Sequence, residues 1–415
     1  MNTSIKPSLP LPEPLRGSEL GTFAHDTIVR RLPDIARRTI EENTFPPSTV
    51  KALRDLIQEI PNRPIRPLND PEAPDSEAWD DYVRPYLGED WLSPPWFFIE
   101  FYFYRRILEA TDYFQSGSPG FLQDPFLIQK QKGIRTALDA IRGLSLRVNR
   151  WVQKGDMAWQ TIVTLLIVEF WGNQVDLSIW PVEDDGVSIT ESQGELDHIV
   201  VNDSRDVADH LLEIAGEAAR VDIIIDNAGF ELVTDLCMAD YLLGTGLVGS
   251  IHLHPKGYPI FVSDAMTEDI ESTVTFLTGD SDRQVQEFAR RLASYIEAGQ
   301  LRLRANEFWT SPCPMWEMPV SLRSDLTSSD LVISKGDANY RRLLGDRHWA
   351  ETASFGEVLS YFPAPITALR TNKSEVICGL EPGTAEAIGN EDPDWRTNGQ
   401  WGEIQFRGYG GDTTL

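Results

Sequence analysis

Apolar residues recur at three- and four-residue intervals through much of the first 170 positions, and that spacing predicts helices. In Ser48–Ile60, Val50, Leu53, Ile57 and Ile60 share one face behind a Ser/Thr cap. Similar patterns predict helices over Thr22–Glu42, Gly133–Gln153 and Ala158–Phe170, while the proline-rich Pro61–Pro74 segment cannot continue one. From Glu195 the pattern changes to short β-branched runs alternating with helical segments. His198–Val201, Val221–Ile225, Val248–Leu253, Ile260–Val262, Leu301–Leu303, Leu331–Ser334 and Ile366–Leu369 read as strands. The alternation predicts an α/β fold, with a mainly parallel sheet flanked by helices and an all-helical N-terminal domain before it. The expected boundaries are a disordered tail over 1–18, the helical domain over 19–175, the α/β domain over 176–385 and a C-terminal extension over 386–415.

Composition narrows the possible partners. At 41% hydrophobic and 10% aromatic, the 415-residue chain buries enough surface to exclude wholesale disorder. Sixty-four acids against 37 bases give a net charge of −27, which repels nucleic-acid phosphates and anionic lipid. Such an excess fits either a solvated acidic surface or cation binding. Three scattered cysteines, Cys237, Cys313 and Cys378, suit neither a disulfide framework nor a thiolate metal site, so the expected compartment is the reducing cytoplasm. The start of the chain has four prolines and no apolar core of a signal peptide, and the most apolar run, Thr161–Trp171, is interrupted by Glu169 and too short to span a bilayer. Trp96–Tyr104 holds seven aromatics in nine positions, too many for one helix face; core packing is the first expectation and a ligand or oligomer surface the alternative.

In open parallel sheets ligands bind beyond the carboxyl ends of the strands, which directs attention to polar residues just after each strand. Asp226 and Asn227 follow Val221–Ile225 and precede a helix; they either cap that helix or offer oxygen ligands to a hard cation. Ser263 and Asp264 follow the next-but-one apolar run, so two acids can converge on one divalent ion that stays open to water and phosphate. Lys335-Gly336-Asp337-Ala338-Asn339-Tyr340-Arg341 runs from a strand into a helix and suits a phosphate and sugar hydroxyls, or a plain turn and cap. Arg370-Thr371-Asn372-Lys373 puts two more cations at a strand end, a local reversal of sign in an acidic chain. Two other strings lack context. Gly244-Thr245-Gly246-Leu247-Val248-Gly249 matches G-x-G-x-x-G but lies after a helix and before a strand, and the dehydrogenase-like Asp226-Asn227-Ala228-Gly229 has no accompanying Tyr-x-x-x-Lys. His252 and His254 share one strand face, a possible zinc pair without a third ligand.

Asp226-Asn227-Ala228-Gly229-Phe230-Glu231, Ser263-Asp264, Lys335 to Arg341 and Arg370-Thr371-Asn372-Lys373, in that order, resemble the damage-control phosphatase family, formerly domain of unknown function 89. The Arg-Thr-x-Lys string is the mark of its third subfamily. Phe23–Thr39 and Phe170–Ser178 extend the resemblance over roughly residues 20 to 380. It implies metal-dependent hydrolysis of phosphate monoesters, typically sugar phosphates such as fructose 1-phosphate or fructose 6-phosphate, with Mn²⁺, Ni²⁺, Co²⁺ or Mg²⁺. Carried over by position, it implies Asp226, Asn227 and Asp264 as metal ligands. Asp226 and Asp264 are the candidate nucleophile or base. Glu231, Lys335, Gly336, Asp337, Asn339, Tyr340, Arg341, Arg370 and Lys373 form the expected substrate-binding set. Glu231 also matches a residue assigned to S-adenosylmethionine in a family member reported as a protein-glutamate methyltransferase, so that activity is an alternative, as is a non-catalytic phosphometabolite-binding protein.

Overall fold

The computed structural model describes residues 5–172 and 196–409. A seven-stranded sheet organises the chain: β1 (Ile199–Asn202), β2 (Gly216–Ile224), β3 (Val248–His254), β4 (Leu301–Leu303), β5 (Leu331–Lys335), β6 (Ile366–Thr371) and β7 (Gly402–Arg407). Their spatial order is β1-β7-β6-β5-β2-β3-β4. β6, β5, β2, β3 and β4 are mutually parallel, whereas β7 lies antiparallel to β6 and parallel to β1. From β2 the chain builds outward through β3 and β4, then returns to place β5 and β6 on the other side of β2. The carboxyl ends of β2 and β5 therefore flank the point where the winding reverses, the usual ligand crevice of such sheets.

Side chains alternate across the sheet between two cores. Val221, Ile223, Leu331 and Ile333 point into one, covered by helices Leu138–Lys154, Trp159–Trp171, Phe230–Gly244 and Arg283–Glu297. Ile224, Val332, Ile366 and Ala368 point into the other, covered by helices Leu32–Glu42, Pro47–Glu59 and Trp96–Ala110 with Asp337–Leu344. The helical region thus divides between the two faces of the sheet instead of enclosing a core of its own. Trp96–Tyr104 is buried throughout, as core packing requires.

Several expectations change. The expected helix over Gly133–Gln153 is two helices, Leu127–Thr136 and Leu138–Lys154, divided at Ala137. Within the expected tail over 1–18, the described residues are instead anchored near Leu15: its amide donates to the Asp346 carbonyl at 3.0 Å, its carbonyl accepts from the Trp96 amide, and its side chain is buried. The 386–415 extension contains β7, whose insertion between β1 and β6 makes it part of the sheet. Ile260–Val262 is a tight turn with positive φ at Phe261 (50°) and Val262 (68°) rather than a strand. The 175/176 boundary and the Asn173–Ser178 part of the resemblance lie outside the described residues.

Candidate active site

The chain leaves β2 at Ile225 and enters a loop that pairs edge to edge with Ser263–Ala265. The Ala228 amide donates to the Ser263 carbonyl and the Ala265 amide to the Asp226 carbonyl, each at 2.7 Å, and Asn227 and Asp264 face one another in an antiparallel bridge. Two segments almost forty positions apart in sequence therefore present Asp226, Asn227 and Asp264 side by side. The strained turn sets the approach: Phe261 packs edge-on to Phe101 at 5.0 Å and against Tyr104 at 5.0 Å, so the aromatic helix braces the backbone just before Asp264.

Around these ligand candidates the polar contacts are specific. The Asn227 amide donates to Asp226 Oδ2 at 2.7 Å and to Glu231 Oε2 at 2.8 Å, and its carbonyl accepts from the Ser263 hydroxyl. Asp226 and Asp264 are both buried. Burial pushes the Asp226 carboxyl well above its ordinary value, with Asp264 and Glu231 adding repulsion that Lys256 and Lys373 only partly offset. The same burial raises Asp264 to about 6 against the pull of Lys256 and Lys130. Asp264 Oδ2 has no hydrogen-bond donor. At Gly336, which has φ +81°, a Cβ would lie 2.0 Å from Asp226 Oδ2. Crowded carboxylate oxygens, one of them without a hydrogen bond, and this missing Cβ fit a hard divalent ion. The helices Phe230–Gly244 and Asp337–Leu344 both begin here, directing partial positive charge toward an anion.

The substrate-binding candidates divide into two groups. Glu231, Gly336, Asn339 and Lys373 surround Asp226: the Asn339 amide spans the Lys335 carbonyl (2.8 Å) and the Ile225 carbonyl (3.3 Å), and the Lys373 side chain is exposed and free among the described residues. Asp337 stands at the start of its helix with its carboxyl held down by Arg370 and Arg341 despite burial. Its Oδ1 accepts from Arg370 Nε at 2.8 Å, the Ser374 hydroxyl at 2.9 Å and the Lys373 amide at 3.3 Å, which fixes the Arg-Thr-x-Lys loop. The others are committed elsewhere. Arg370 also meets Glu403 at 3.4 Å; the Tyr340 hydroxyl donates to Gln405 at 2.9 Å; and Arg341 pairs with Asp346 and Glu100 over the Trp96 ring. Lys335 turns into the core, where its Nζ lies 2.6 Å from Asp235 and 3.8 Å from Glu169. The sign of a side chain was legible in the string; its direction was not.

The strand-end reasoning missed Lys256, which follows β3 as Val248–His254 gives way to Pro255. Its buried ammonium donates to Asn339 Oδ1 at 3.0 Å and lies 3.5 Å from Asp264 Oδ2. The residue sits just past a strand end, two places beyond the His-x-His pair, and its position after β3 is the signal that marks it. A second acid–histidine cluster, Asp222, His252 and Asp325, has donor atoms close enough for an ion. Its carboxylates already share the Arg220 guanidinium, at 2.8 Å for Asp222 and 3.1 Å for Asp325, so a cation is in place. The His254 Nε2–H donates to Asp222 Oδ1 at 2.7 Å, which gives that histidine a structural use.

The profile of the damage-control phosphatase ARMT1-like domain matches residues 27–388. The damage-control phosphatase ARMT1 of Danio rerio is 34% identical over 95% of this chain and 97% of its own length, and that of Rattus norvegicus is 33% identical over 95% and 98%. A solved DUF89 family protein from Pyrococcus horikoshii superposes with a TM-score of 0.43 at 14% identity, covering 86% of this chain and 92% of that one.

Proposed function

This chain belongs to the ARMT1-like damage-control phosphatase family, and from that premise we propose that it hydrolyses small sugar phosphates, fructose 1-phosphate and fructose 6-phosphate among them, at Asp226, Asn227 and Asp264. As a member of that family it is a metal-dependent phosphatase. The observation that carries the assignment is the pairing of the Asp226 and Asp264 segments at the reversal point of the sheet, beside an exposed Lys373.

A divalent ion held by the two carboxylates and the Asn227 carbonyl oxygen would be Mn²⁺, Ni²⁺, Co²⁺ or Mg²⁺, and when bound it neutralises charge developing on a phosphoryl oxygen. The remaining work falls to side chains. Lys373 reaches the phosphate from the open side; Asp337 and Arg370 hold the loop that presents it. Asn339 fixes the spacing of the β2 and β5 ends. Asp226 or Asp264 serves as nucleophile or base. Glu231, whose carboxylate accepts from Asn227, orients a ligand and is accounted for without a methyl-donor site. Three free cysteines, two of them buried, are consistent with a reducing cytoplasmic setting.

Phosphate release from a panel of phosphosugars, with each ion in turn and with chelator, tests the reading. Release with metal and none with chelator is expected, and Lys373→Ala should raise KM about tenfold while changing kcat less. Transfer of label from S-adenosylmethionine to a carboxylate, without phosphate release, would overturn it.

A further inference from the structure

We propose that Lys256 is a built-in counter-cation of the active site, which sets its charge so that a dianionic phosphate can bind beside the metal ion; the inference rests on the phosphatase reading above.

Asp226, Asp264 and Glu231 put three carboxylates around Asn227, and among the described residues Asp226 and Glu231 are hydrogen-bonded there only by the Asn227 amide. One divalent ion leaves that group with a surplus negative charge, which repels a phosphate monoester. Lys256 cancels the surplus, and Lys373 then makes the site net positive. Asp337 and Arg370 do not alter this count, because they pair with each other at 2.8 Å. Lys335 and Arg341 cannot take the role either, since buried acids already hold them, and the buried Arg342 guanidinium, which adds to the positive field at Asp264, is bonded to the Trp309, Ser311 and Cys313 carbonyls and touches none of the three carboxylates.

Geometry gives Lys256 a second part. Its ammonium lies 3.5 Å from Asp264 Oδ2 and 3.0 Å from Asn339 Oδ1, bridging the β3 end, the Asp264 segment and the helix after β5. Its own amide donates to the Ala265 carbonyl at 2.9 Å, so main chain and side chain are both fastened to the Asp264 segment. Lys256 is a positioning residue: it acts on the phosphate through the field and through Asp264, and it competes with the metal ion for the same carboxylate.

That competition gives a signature that a merely structural lysine lacks. In calorimetric titrations of the full chain, Lys256→Met should bind Mn²⁺ about tenfold more tightly, while the Mn²⁺-loaded protein binds inorganic phosphate about tenfold more weakly. Glu231→Gln should move both affinities the opposite way, and it tests the charge count even if Lys256→Met folds poorly. Lys256→Met/Glu231→Gln should return phosphate affinity toward that of the wild type. Parallel loss of Mn²⁺ and phosphate binding in Lys256→Met, unchanged affinities, or a Glu231→Gln shift in the same direction as Lys256→Met would overturn the proposal. If the wild type releases no phosphate from any monoester while these shifts hold, the phosphatase reading fails and the charge role stands.

Discussion

Asp226 has room for its carboxylate because position 336 carries no Cβ. A methyl group there would overlap Oδ2 at 2.0 Å, and the backbone at φ +81° already disfavours any side chain. Gly336→Ala should therefore destabilise the protein by about 1–3 kcal/mol and weaken metal binding by at least about tenfold, measured by thermal unfolding and by metal titration. A variant with native affinity would show that Asp226 does not need this position. The string Lys335-Gly336-Asp337 announced a permissive turn, but the reason for the glycine lies 110 positions away in sequence, where no local pattern can reveal it. The same limit explains Lys335 and Arg341. In the string each is only a positive charge at or just after a strand end; in the fold both are consumed by acids, Asp235 and Glu100, that only the tertiary structure brings near.

At the level of elements, β5 is tied to the helices behind it through Lys335, Asp235 and Glu169. Glu169 was legible only as a charge interrupting an apolar run, yet that interruption is the feature with a consequence. Burial pushes its carboxyl to about 8 from an ordinary 4.5, with Lys335 opposing and Asp235 reinforcing the shift. The folded protein keeps a proton that the unfolded chain releases, so this contribution to stability is complete below about pH 4.5 and is lost as pH rises through about 8. Glu169→Gln, which carries a permanently neutral side chain, should flatten that decline, gaining on the order of 1–3 kcal/mol relative to wild type between pH 5 and 8. Denaturant unfolding at the two pH values reads the difference; an equal decline in both proteins would contradict the assignment. Most strands were legible because they are short β-branched runs, and Ile260–Val262 failed for a comparable reason. It has strand composition, but its neighbours Phe101 and Tyr104 stabilise a left-handed turn that aims Asp264.

Across the whole molecule, a net charge of −27 is reconciled with an anionic substrate by placement. Most described cations near the sheet ends are neutralised in pairs, leaving Lys373 open beside a group of acids that an ion and Lys256 would balance. The α/β architecture and the order of the motifs could be read along the chain. The division of the helical region between two faces, and the seat of β7 between β1 and β6, could not, because both depend on contacts between distant segments. No helix among the described residues is long and apolar enough to cross a membrane. The proposed seat of the divalent ion is Asp226, Asn227 and Asp264, not the Arg220-filled cluster of Asp222, His252 and Asp325. Calorimetric titration of Mn²⁺ into wild type, Asp226→Asn, Asp264→Asn and His252→Asn tests it most directly. The expected result is one ion per chain in wild type and His252→Asn, and affinity reduced at least about a hundredfold in both aspartate variants, whose melting temperatures are not lowered. Full affinity in Asp264→Asn together with loss in His252→Asn would contradict it.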